Sequence, residues 1–332
     1  MARKQIALLS ATNLDVGYSA RTDAQLFASL NISLLSGELV CFMGPNGVGK
    51  STLIRTLAGL QKPHRGTITF SQSTPSSPTT GHVDQDTSRH IAVVLTDKIA
   101  AGTMTAEELI TYGRYPYLDW TIHLTKTDET SIRHAMEATH VMHLKNKKLY
   151  ELSDGQLQMV MIARALAQET PIILLDEPTA HLDLNNRVEI MNLLRRTARE
   201  KGKAILVATH ELDLALQTAD LIWLAGGNRN LLKGIPEDLV LNGSFDTIFQ
   251  LKGFDLRTGK VKHEPWRNLA VNLVGEGPEY LWTKNALERC GFIVNNGMDS
   301  PIRVINNNVK PVWSYQAEEF MNLSDLLQKL NK

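Results

Sequence analysis

The chain has 332 residues, which is enough for one large domain or two of ordinary size. Its composition, with 43% hydrophobic and 21% charged residues, is that of an ordinary globular protein. Basic and acidic residues are equal in number, 35 of each, so no net field attracts nucleic acid or anionic lipid. Two cysteines far apart in sequence predict neither a disulfide framework nor a metal site.

The first part of the chain predicts strands around residues 11–36 and a short buried strand at Leu39–Met43. A glycine-rich stretch with the spacing G-x(4)-G-K-S follows at once, and a helical pattern starts at Lys50. Glycines let a backbone approach a ligand closely, and the amides of a helix N-terminus attract an anion. The spacing predicts a phosphate-binding loop in which Lys50 reaches the terminal phosphates and Ser51 ligates Mg²⁺. A surface turn with a stray lysine does not explain its position between strand and helix.

Residues 71–90 are rich in Ser, Thr and Pro and predict a long solvated loop. Residues 103–152 predict a helical segment that opens with a capping box at Thr105. Strands and helices alternate around this segment, which predicts a parallel α/β sheet with a helical insertion. The remaining predicted elements are strands at 91–97, 172–175 and 204–208 and helices at 156–168 and 186–201.

The pattern of predicted strands and helices changes beyond residue 262. Residues 263–332 predict a small α+β extension with a strand, a helix, a second strand, a hairpin and a final helix. The extension contains no catalytic or ligand-binding pattern. The predicted domains are therefore residues 5–262 and the extension at residues 263–332.

Two carboxylates follow the predicted strand at residues 172–175. Asp176 could hold the water shell of Mg²⁺ beside Ser51, and Glu177 could polarise a water in line with the γ-phosphate. Without a phosphate loop, such a pair is often only a solvated strand end. His210 ends another buried strand and could reach the γ-phosphate from the same sheet edge, although a histidine there is often a structural cap.

A second helix N-terminus could also hold a phosphate, because Ser153 and Gly155 precede the helix predicted at 156–168. The alternative is a simple N-cap. Since the chain already contains one phosphate cradle, a second one predicts two chains that face each other.

The sequence resembles the ATP-binding subunits of ABC transporters across roughly residues 5–262. The resemblance implies a P-loop ATPase core with an antiparallel β subdomain and a helical subdomain at about residues 103–155. It also implies ATP and Mg²⁺ as cofactors and a head-to-tail homodimer, with each ATP between the Walker A motif of one chain and the signature of the other. The motifs are GPNGVGKST (Walker A), ILLDE (Walker B), LSDGQ (signature), AHLD (D-loop), His210 (switch histidine) and Tyr18 (adenine stacking).

The resemblance implies a set of site residues. The expected catalytic residues are Glu177, His210 and Thr96, and the expected metal ligands are Ser51 and Asp176. The expected ATP-binding residues are Tyr18, Gly44, Pro45, Asn46, Gly47, Val48, Gly49, Lys50, Ser51, Thr52, Ser153, Gly155, Gln156 and Asp183.

Two positions depart from the family pattern. Where the family has the Q-loop glutamine, this chain has Thr96 and then Asp97. A threonine hydroxyl could still order a magnesium-bound water, with a shorter reach. Asp154 replaces the usual glycine of the signature, and we expect its side chain to face solvent or a basic neighbour, because a carboxylate near a triphosphate is unfavourable. Neither change removes the lysine, the two carboxylates or the histidine, so the sequence predicts an active ATPase.

The stretch ELITYGRYPYLDW, residues 108–120, resembles the helical subdomain of subunits that import iron–siderophore complexes, haem or vitamin B12. Ordinary helical packing is the alternative. The resemblance implies two integral-membrane permease subunits and, indirectly, a substrate-binding protein as partners, and no nucleic acid. No stretch approaches the roughly 20 apolar residues of a membrane span, and the apolar run at residues 6–9 is too short for a signal peptide. The expected location is the cytoplasmic face of the cell membrane.

Two other functions remain open at this point. The first is an exporter, or another importer class, with the same ATPase. The second is a soluble ABC ATPase that acts in DNA repair or on ribosomes. Such repair enzymes carry long coiled-coil insertions and such ribosomal ones usually carry two cassettes, and the sequence shows neither feature.

Overall fold

The computed structural model describes residues 6–18, 25–71, 85–96, 102–227, 229, 231–251, 253–256, 259–261, 263–297, 299–306 and 311–330. The chain forms two compact units, Met1–Gln250 and Leu251–Lys332. The domain boundary expected after residue 262 stays a prediction. No helix in the described part of the chain is long and apolar enough to cross a membrane.

The first unit contains two sheets and several helices. Its strands are β1 (Ala7–Gly17), β2 (Gln25–Leu35), β3 (Leu39–Met43), β4 (Arg65–Phe70), β5 (Ile91–Val94), β6 (Ile172–Asp176), β7 (Ala204–Ala208), β8 (Leu221–Ala225) and β9 (Leu231–Gly234). Its helices are α1 (Lys50–Leu57), α2 (Gln85–His90), α3 (Ala106–Thr111), α4 (Lys126–Ala138), α5 (Asp154–Ala167), α6 (Leu184–Lys201), α7 (Leu212–Thr218), α8 (Pro236–Leu241) and α9 (Ser244–Phe249).

The larger sheet has the order β5-β6-β7-β3-β8-β9 and is parallel except for the edge strand β9. Every residue of β3, β6 and β7 is buried, because both faces of a parallel sheet are covered. A smaller antiparallel sheet has the order β2-β1-β4. Rings of Phe27, Phe42 and Trp223 pack together in the core. These sheets confirm the predicted α/β core and its antiparallel β subdomain.

The helical insertion joins β5 to β6. It contains α3, α4 and α5, and a 3₁₀ segment at Tyr112–Tyr117 directly follows α3. The predicted capping box at Thr105 is confirmed, since its hydroxyl accepts from the Glu108 amide while the Glu108 carboxylate accepts from the Thr105 amide. Ser153 caps α5 in the same way, so this helix starts at Asp154, two residues before its predicted start.

The second unit has its own core and sheet, which confirms the predicted α+β character of this part of the chain. The sheet has the order β13-β12-β14-β15-β16, and the Trp313 indole donates to the Thr283 hydroxyl at 2.7 Å inside the core. The elements are β10 (Phe254–Asp255), β11 (Lys260–Val261), β12 (Leu269–Val274), α10 (Gly277–Arg289), β13 (Phe292–Asn295), β14 (Ile302–Asn306), β15 (Pro311–Tyr315), β16 (Glu318–Phe320) and α11 (Leu323–Leu330).

One predicted loop is wrong in its last part. Residues Gln85–His90 form helix α2, although the sequence predicts a solvated loop over residues 71–90. The Gln168 side chain donates to the carbonyls of Ser88 and Ile91, and the His90 ring stacks on Phe70. These contacts come from distant parts of the chain, which composition cannot show. Residues 72–84 lie outside the described residues.

Candidate active site

The loop between β3 and α1 forms a cradle at the carboxyl end of the central strand. Gly49 precedes α1 with a φ of +107°, and a Cβ at this position would lie 2.8 Å from Leu26 Cδ1. Glycine is therefore required here, both for its backbone angle and for lack of space. As it has no side chain, Gly49 cannot cap the first amides of α1, and these amides remain available to an anion.

The other residues of the loop surround the cradle. Lys50 is buried, and its ammonium group donates to the Gly44 carbonyl at 2.9 Å and, at 3.4 Å, to the carbonyl of Pro45. The lysine thus holds the loop closed from inside. Asn46 and Gly47 lie at the exposed tip, Val48 packs against the core, and Thr52 is buried behind the loop.

Lys50 and two carboxylates interact at this sheet edge. Burial lowers the pKa of Lys50, and the nearby Glu177 and Asp176 oppose that change. Burial raises the pKa of Asp176, and the Ser51 hydroxyl, which hydrogen-bonds this carboxylate, offsets part of the effect. The structure therefore brings these four predicted residues together at one place.

The donor set at Asp176 fits Mg²⁺. Its Oδ1 atom is buried and has no hydrogen-bond partner among the described residues. A carboxylate oxygen in this condition carries a desolvation cost that a cation relieves. Together with the Ser51 hydroxyl it offers hard oxygen ligands, and Mg²⁺ commonly binds through one or two carboxylates while phosphates and waters complete its shell.

Glu177 and His210 form a pair at the same edge. The Glu177 amide donates to the Ala208 carbonyl at 2.8 Å, which ties the end of β6 to the end of β7. Glu177 has a φ of +49°, a left-handed conformation that strains a non-glycine residue and is often found at functional sites. Its Oε1 atom lies 3.3 Å from Nδ1 of His210, and both side chains retain access to solvent. A partly exposed carboxylate of this kind can accept a proton from water.

The signature residues form the beginning of α5. The Ser153 hydroxyl accepts from the backbone amide of Gln156, and the side-chain Oε1 of Gln156 accepts from the backbone amide of Ser153, both at 3.2 Å. Ser153 and Gln156 thus satisfy each other's backbone amides within a single chain. Asp154 is exposed, as predicted. A Cβ on Gly155 would lie 3.0 Å from the His181 carbonyl, so the signature lies directly against the D-loop.

Asp183 ends the D-loop and caps α6. Its carboxylate accepts from the Asn186 amide at 2.9 Å. A cavity of about 760 Å³ is open next to it. Its lining comes from residues 139–144, from the start of α5 between Ser153 and Met159, from the D-loop and from Asn186. Phosphate-sized groups from outside the chain can therefore reach the signature.

Two predicted residues lie apart from these contacts. Thr96 is exposed, two residues beyond the end of β5, and so at the same edge of the sheet as the carboxylates. Asp97 lies outside the described residues. Tyr18 directly follows β1 and is 67% exposed, which leaves its ring free to stack on a ligand. The roles of both residues stay predictions.

Arg187 is a supporting residue that the sequence does not reveal. Its Nε donates to the Leu182 carbonyl of the D-loop at 2.7 Å, and its Nη1 lies 3.3 Å from the Glu211 carboxylate, next to His210. It therefore links the D-loop to the segment of the switch histidine. The only sequence signal is a basic residue one helical turn after Asp183, which is too common to interpret.

Comparison with known proteins gives two family matches. Residues 27–180 match the family described as ABC transporter. Residues 268–331 match the family described as iron ABC transporter C-terminal domain. The first match covers the P-loop, the signature and both carboxylates, and the second covers most of the second unit.

Individual relatives cover most of the chain. The ferric enterobactin transport ATP-binding protein FepC of Escherichia coli is 32% identical over 75% of this chain and 89% of its own length. The cobalamin import ATP-binding protein BtuD of Halobacterium salinarum is 32% identical over 87% of this chain and 73% of its own. Among solved structures, CbiO1 of Clostridium perfringens, part of the ABC transporter complex CbiONQ, superposes with a TM-score of 0.60 at 27% identity, covering 73% of this chain and 95% of that one.

Proposed function

Because the chain belongs to the family of ABC transporter ATP-binding proteins, we propose that it is the ATP-hydrolysing subunit of an importer for iron–siderophore complexes, haem or cobalamin. The observation that carries the proposal is the meeting of Lys50, Asp176, Glu177 and His210 at the carboxyl edge of one parallel sheet. In open α/β sheets, ligands bind outside the carboxyl ends of the strands.

Each residue of the site has a separate role in the proposed hydrolysis of ATP. Lys50 and the amides of the P-loop bind the β- and γ-phosphates. Ser51 and Asp176 would hold Mg²⁺, which would supply positive charge to the site. Glu177 orients the attacking water and accepts its proton. His210 lies 3.3 Å from Glu177, so it would hold that carboxylate in place and contact the γ-phosphate.

The second helix N-terminus supports a dimer as part of the proposal. Ser153, Gly155 and Gln156 would bind the γ-phosphate held by the P-loop of a second copy, and Asp183 would face the same nucleotide from the D-loop. The cavity beside the signature gives such a ligand access from outside the chain. The proposed assembly is thus a homodimer with two ATP molecules at its interface, whose closure is passed to the permease.

A groove in the helical insertion is the proposed docking site for the permease. It has a volume of about 810 Å³, and its lining includes Met104, Glu107 and Lys148. Tyr112 and Tyr115 form its aromatic wall, with ring centroids 4.3 Å apart, and they are 40% and 46% exposed. The ATPase would then lie on the cytoplasmic face of the membrane, bound through two permease subunits, with a substrate-binding protein as an indirect partner.

The second unit supports the class of cargo. Its sequence matches a domain described for iron ABC transporters, and the ATPase part resembles subunits named for ferric enterobactin and cobalamin. These cargoes share a large chelated metal. Recognition of the cargo itself belongs to the permease and the binding protein.

The proposal is tested by purifying the tagged chain from detergent-solubilised membranes of the cell that encodes it. The expected result is co-purification of a multi-span permease. Replacing both Tyr112 and Tyr115 by alanine should lower its recovery, whereas Trp282→Ala, which removes an exposed aromatic ring from the second unit, should not. Recovery with ribosomes instead of a permease would contradict the transporter function.

A further inference from the structure

The stretch Gly113–Tyr117, with the sequence GRYPY, contacts α2, α4 and α5. It belongs to the 3₁₀ segment after α3, which the active site does not include. Its exposed Tyr115 lines the groove described above, but its glycine and arginine are buried. The contacts of these buried residues lead to α5, which begins with the signature.

Gly113 lies directly on the last turn of α5. A Cβ at this position would lie only 2.4 Å from the Arg164 carbonyl oxygen and 3.2 Å from the Gln168 amide. Both are backbone atoms, one in α5 and one directly after it. Backbone atoms cannot move away as the end of a flexible side chain could. The 3₁₀ segment and α5 are therefore in closer contact than any residue other than glycine allows.

Arg114 binds the same end of α5 and two further groups. It is 5% exposed, and its Nε donates to Asp128 Oδ1 of α4 at 2.8 Å. Its Nη1 donates to the Ala167 carbonyl at 2.9 Å and to Glu169 Oε2 at 3.2 Å. The Glu169 carboxylate also accepts from the Ser131 hydroxyl at 2.9 Å, which closes a network between α4 and α5.

The end of α5 that Arg114 holds is opposite to the signature. Ala167 is the last residue of the helix and Ser153 caps its first turn. Fourteen residues at a rise of about 1.5 Å make the helix about 20 Å long. Since a helix is stiff over this length, the direction set at Ala167 determines where the capping residue Ser153 lies.

The other end of GRYPY connects to the strand that leads to Thr96. The Pro116 carbonyl accepts from Arg89 Nε at 2.9 Å, and Arg89 belongs to α2, directly before β5. The guanidinium group of Arg114 lies 4.3 Å above the Tyr117 ring centroid, and that of Arg89 lies 5.8 Å from it. The Tyr117 ring thus contacts both Arg114, of its own segment, and Arg89, of α2.

Helix α5 also contacts β5 directly. Arg164 Nη2 donates to the Val93 carbonyl at 2.7 Å. GRYPY contacts α5 and α2, and α5 contacts β5, which directly follows α2, so these segments form a closed set of contacts that we call the GRYPY joint. Its defined members are Gly113, Arg114, Pro116, Tyr117, Arg89, Asp128, Arg164, Ala167 and Glu169.

We propose that Arg114 is a positioning residue for ATP hydrolysis, which sets the direction of α5, and so the place of Ser153, relative to the strand leading to Thr96. The inference rests on the proposed ATPase function. The sequence of GRYPY indicates only a resemblance to one group of importers. The proposal gives this stretch a role within the chain itself. The competing explanation is that Arg114 merely stabilises the fold.

The two explanations differ in what a lysine at this position does. Lysine keeps the positive charge but has one ammonium group in place of the planar fork that reaches the Asp128, Ala167 and Glu169 oxygens together. Arg114→Lys should therefore loosen the joint without leaving a buried carboxylate unpaired. Arg133→Lys, an exposed position on α4, is the matched control.

The experiment compares full-length wild type, Arg114→Lys and Arg133→Lys in three measurements. These are kcat and KM for ATP hydrolysis, ADP affinity, and hydrogen–deuterium exchange of peptides spanning residues 153–157 and 47–51. Misplacing a reacting group by about 1 Å can cost roughly 10²-fold, so kcat of Arg114→Lys should fall by roughly 10- to 10²-fold. ADP affinity and exchange at residues 47–51 should stay at wild-type values, while exchange at residues 153–157 becomes faster. Arg133→Lys should match wild type throughout.

Wild-type kcat and wild-type exchange at residues 153–157 in Arg114→Lys would overturn the inference, whatever happens to its melting temperature. If this variant does not fold, Tyr117→Ala decides, because it removes only the stacked ring. Its kcat should fall about threefold, in line with a cation–π contact at a partly exposed site, while Tyr117→Phe keeps the wild-type value. A wild-type kcat for Tyr117→Ala would also overturn the inference. A wild-type chain without ATPase activity would contradict the proposed function instead, and the exchange measurement would still test the joint.

Discussion

Helices α1 and α5 both begin at a predicted phosphate site, but their N-termini differ. α1 starts after Gly49, which has no side chain to cap its amides. α5 starts after Ser153, whose hydroxyl accepts from the Gln156 amide while the Gln156 side chain accepts in return. The first N-terminus is left open for a ligand, and the second is already satisfied by its own chain.

We propose that this difference lets one chain bind nucleotide before a second chain completes the site for hydrolysis. The amides at the start of α1 have no side-chain cap, so a ligand can bind them without displacing one. In the proposed dimer, a phosphate delivered by the second chain would replace or share the Ser153 cap at α5. Variants at the two helix starts should therefore affect binding and assembly separately.

The largest expected effect on ATP binding is at the open cradle. Lys50→Ala removes the ammonium group that holds the Gly44 carbonyl and would bind phosphate oxygens. Charge-assisted hydrogen bonds contribute roughly 1.5–3 kcal/mol each, so losing two of them should weaken ATP binding by about 10²-fold or more. Titration calorimetry of the single chain measures this. Lys62→Ala, at an exposed position outside the loop, should bind normally, and unchanged binding by Lys50→Ala would contradict the cradle.

A smaller loss of ATP affinity is expected when the contact with the adenine base is removed. Tyr18→Ala removes a ring that is free to stack on adenine, and base–aromatic stacking contributes roughly 1–3 kcal/mol. ATP affinity should fall accordingly, and Tyr18→Phe should retain it. The same titration measures both variants. Equal affinity for Tyr18→Ala and wild type would make Tyr18 an ordinary residue at a strand end.

At the closed helix start, Ser153→Ala should leave ATP binding by the single chain unchanged. Loss of an N-cap costs about 1 kcal/mol of stability, which thermal unfolding detects. Loss of one charged hydrogen bond at each of the two ATP sites should weaken ATP-dependent dimerisation about tenfold per site. Thr105→Ala removes an equivalent capping box from α3 and should reduce stability without changing dimerisation. Equal dimerisation by Ser153→Ala and Thr105→Ala would contradict the role of the signature.

The smallest effect is expected at Thr96. Its hydroxyl is proposed to order a magnesium-bound water, and a single neutral hydrogen bond contributes about 0.5–1.5 kcal/mol. Thr96→Ala should lower the hydrolysis rate roughly threefold to tenfold, and Thr96→Ser should restore it. Phosphate release under saturating ATP is the measurement. A rate for Thr96→Ala equal to that of wild type would leave this position without a catalytic role.

Much of the fold could be predicted because short patterns report local structure. Continuous apolar runs indicate buried parallel strands, and β3, β6 and β7 have such runs. The glycine spacing before Lys50 and the carboxylates after β6 come together because strands of one parallel sheet end at one edge. The sequence alone left two interpretations open for Ser153, a cap or a phosphate ligand, and the structure shows the cap in the single chain.

Other features could not be predicted, because they depend on contacts between distant segments. Helix α2 is held by Gln168, nearly eighty residues further along the chain. The close packing of Gly113 on α5, and the three acceptors of Arg114, likewise leave no periodic trace in the sequence. Resemblance marked the stretch GRYPY, but only the contacts indicate what its residues do.

The central claim is that one chain binds ATP and two chains hydrolyse it, with Glu177 as the base. Glu177→Gln tests it directly, because it keeps size and hydrogen bonding but cannot accept the proton. General-base catalysis contributes about 10²–10⁴-fold, so phosphate release should fall by that order while ATP binding survives. Size-exclusion chromatography of Glu177→Gln with MgATP, next to a phosphate-release assay, should show a stable and nearly inactive dimer. A monomer that hydrolyses ATP at the wild-type rate would contradict both the role of Glu177 and the shared site.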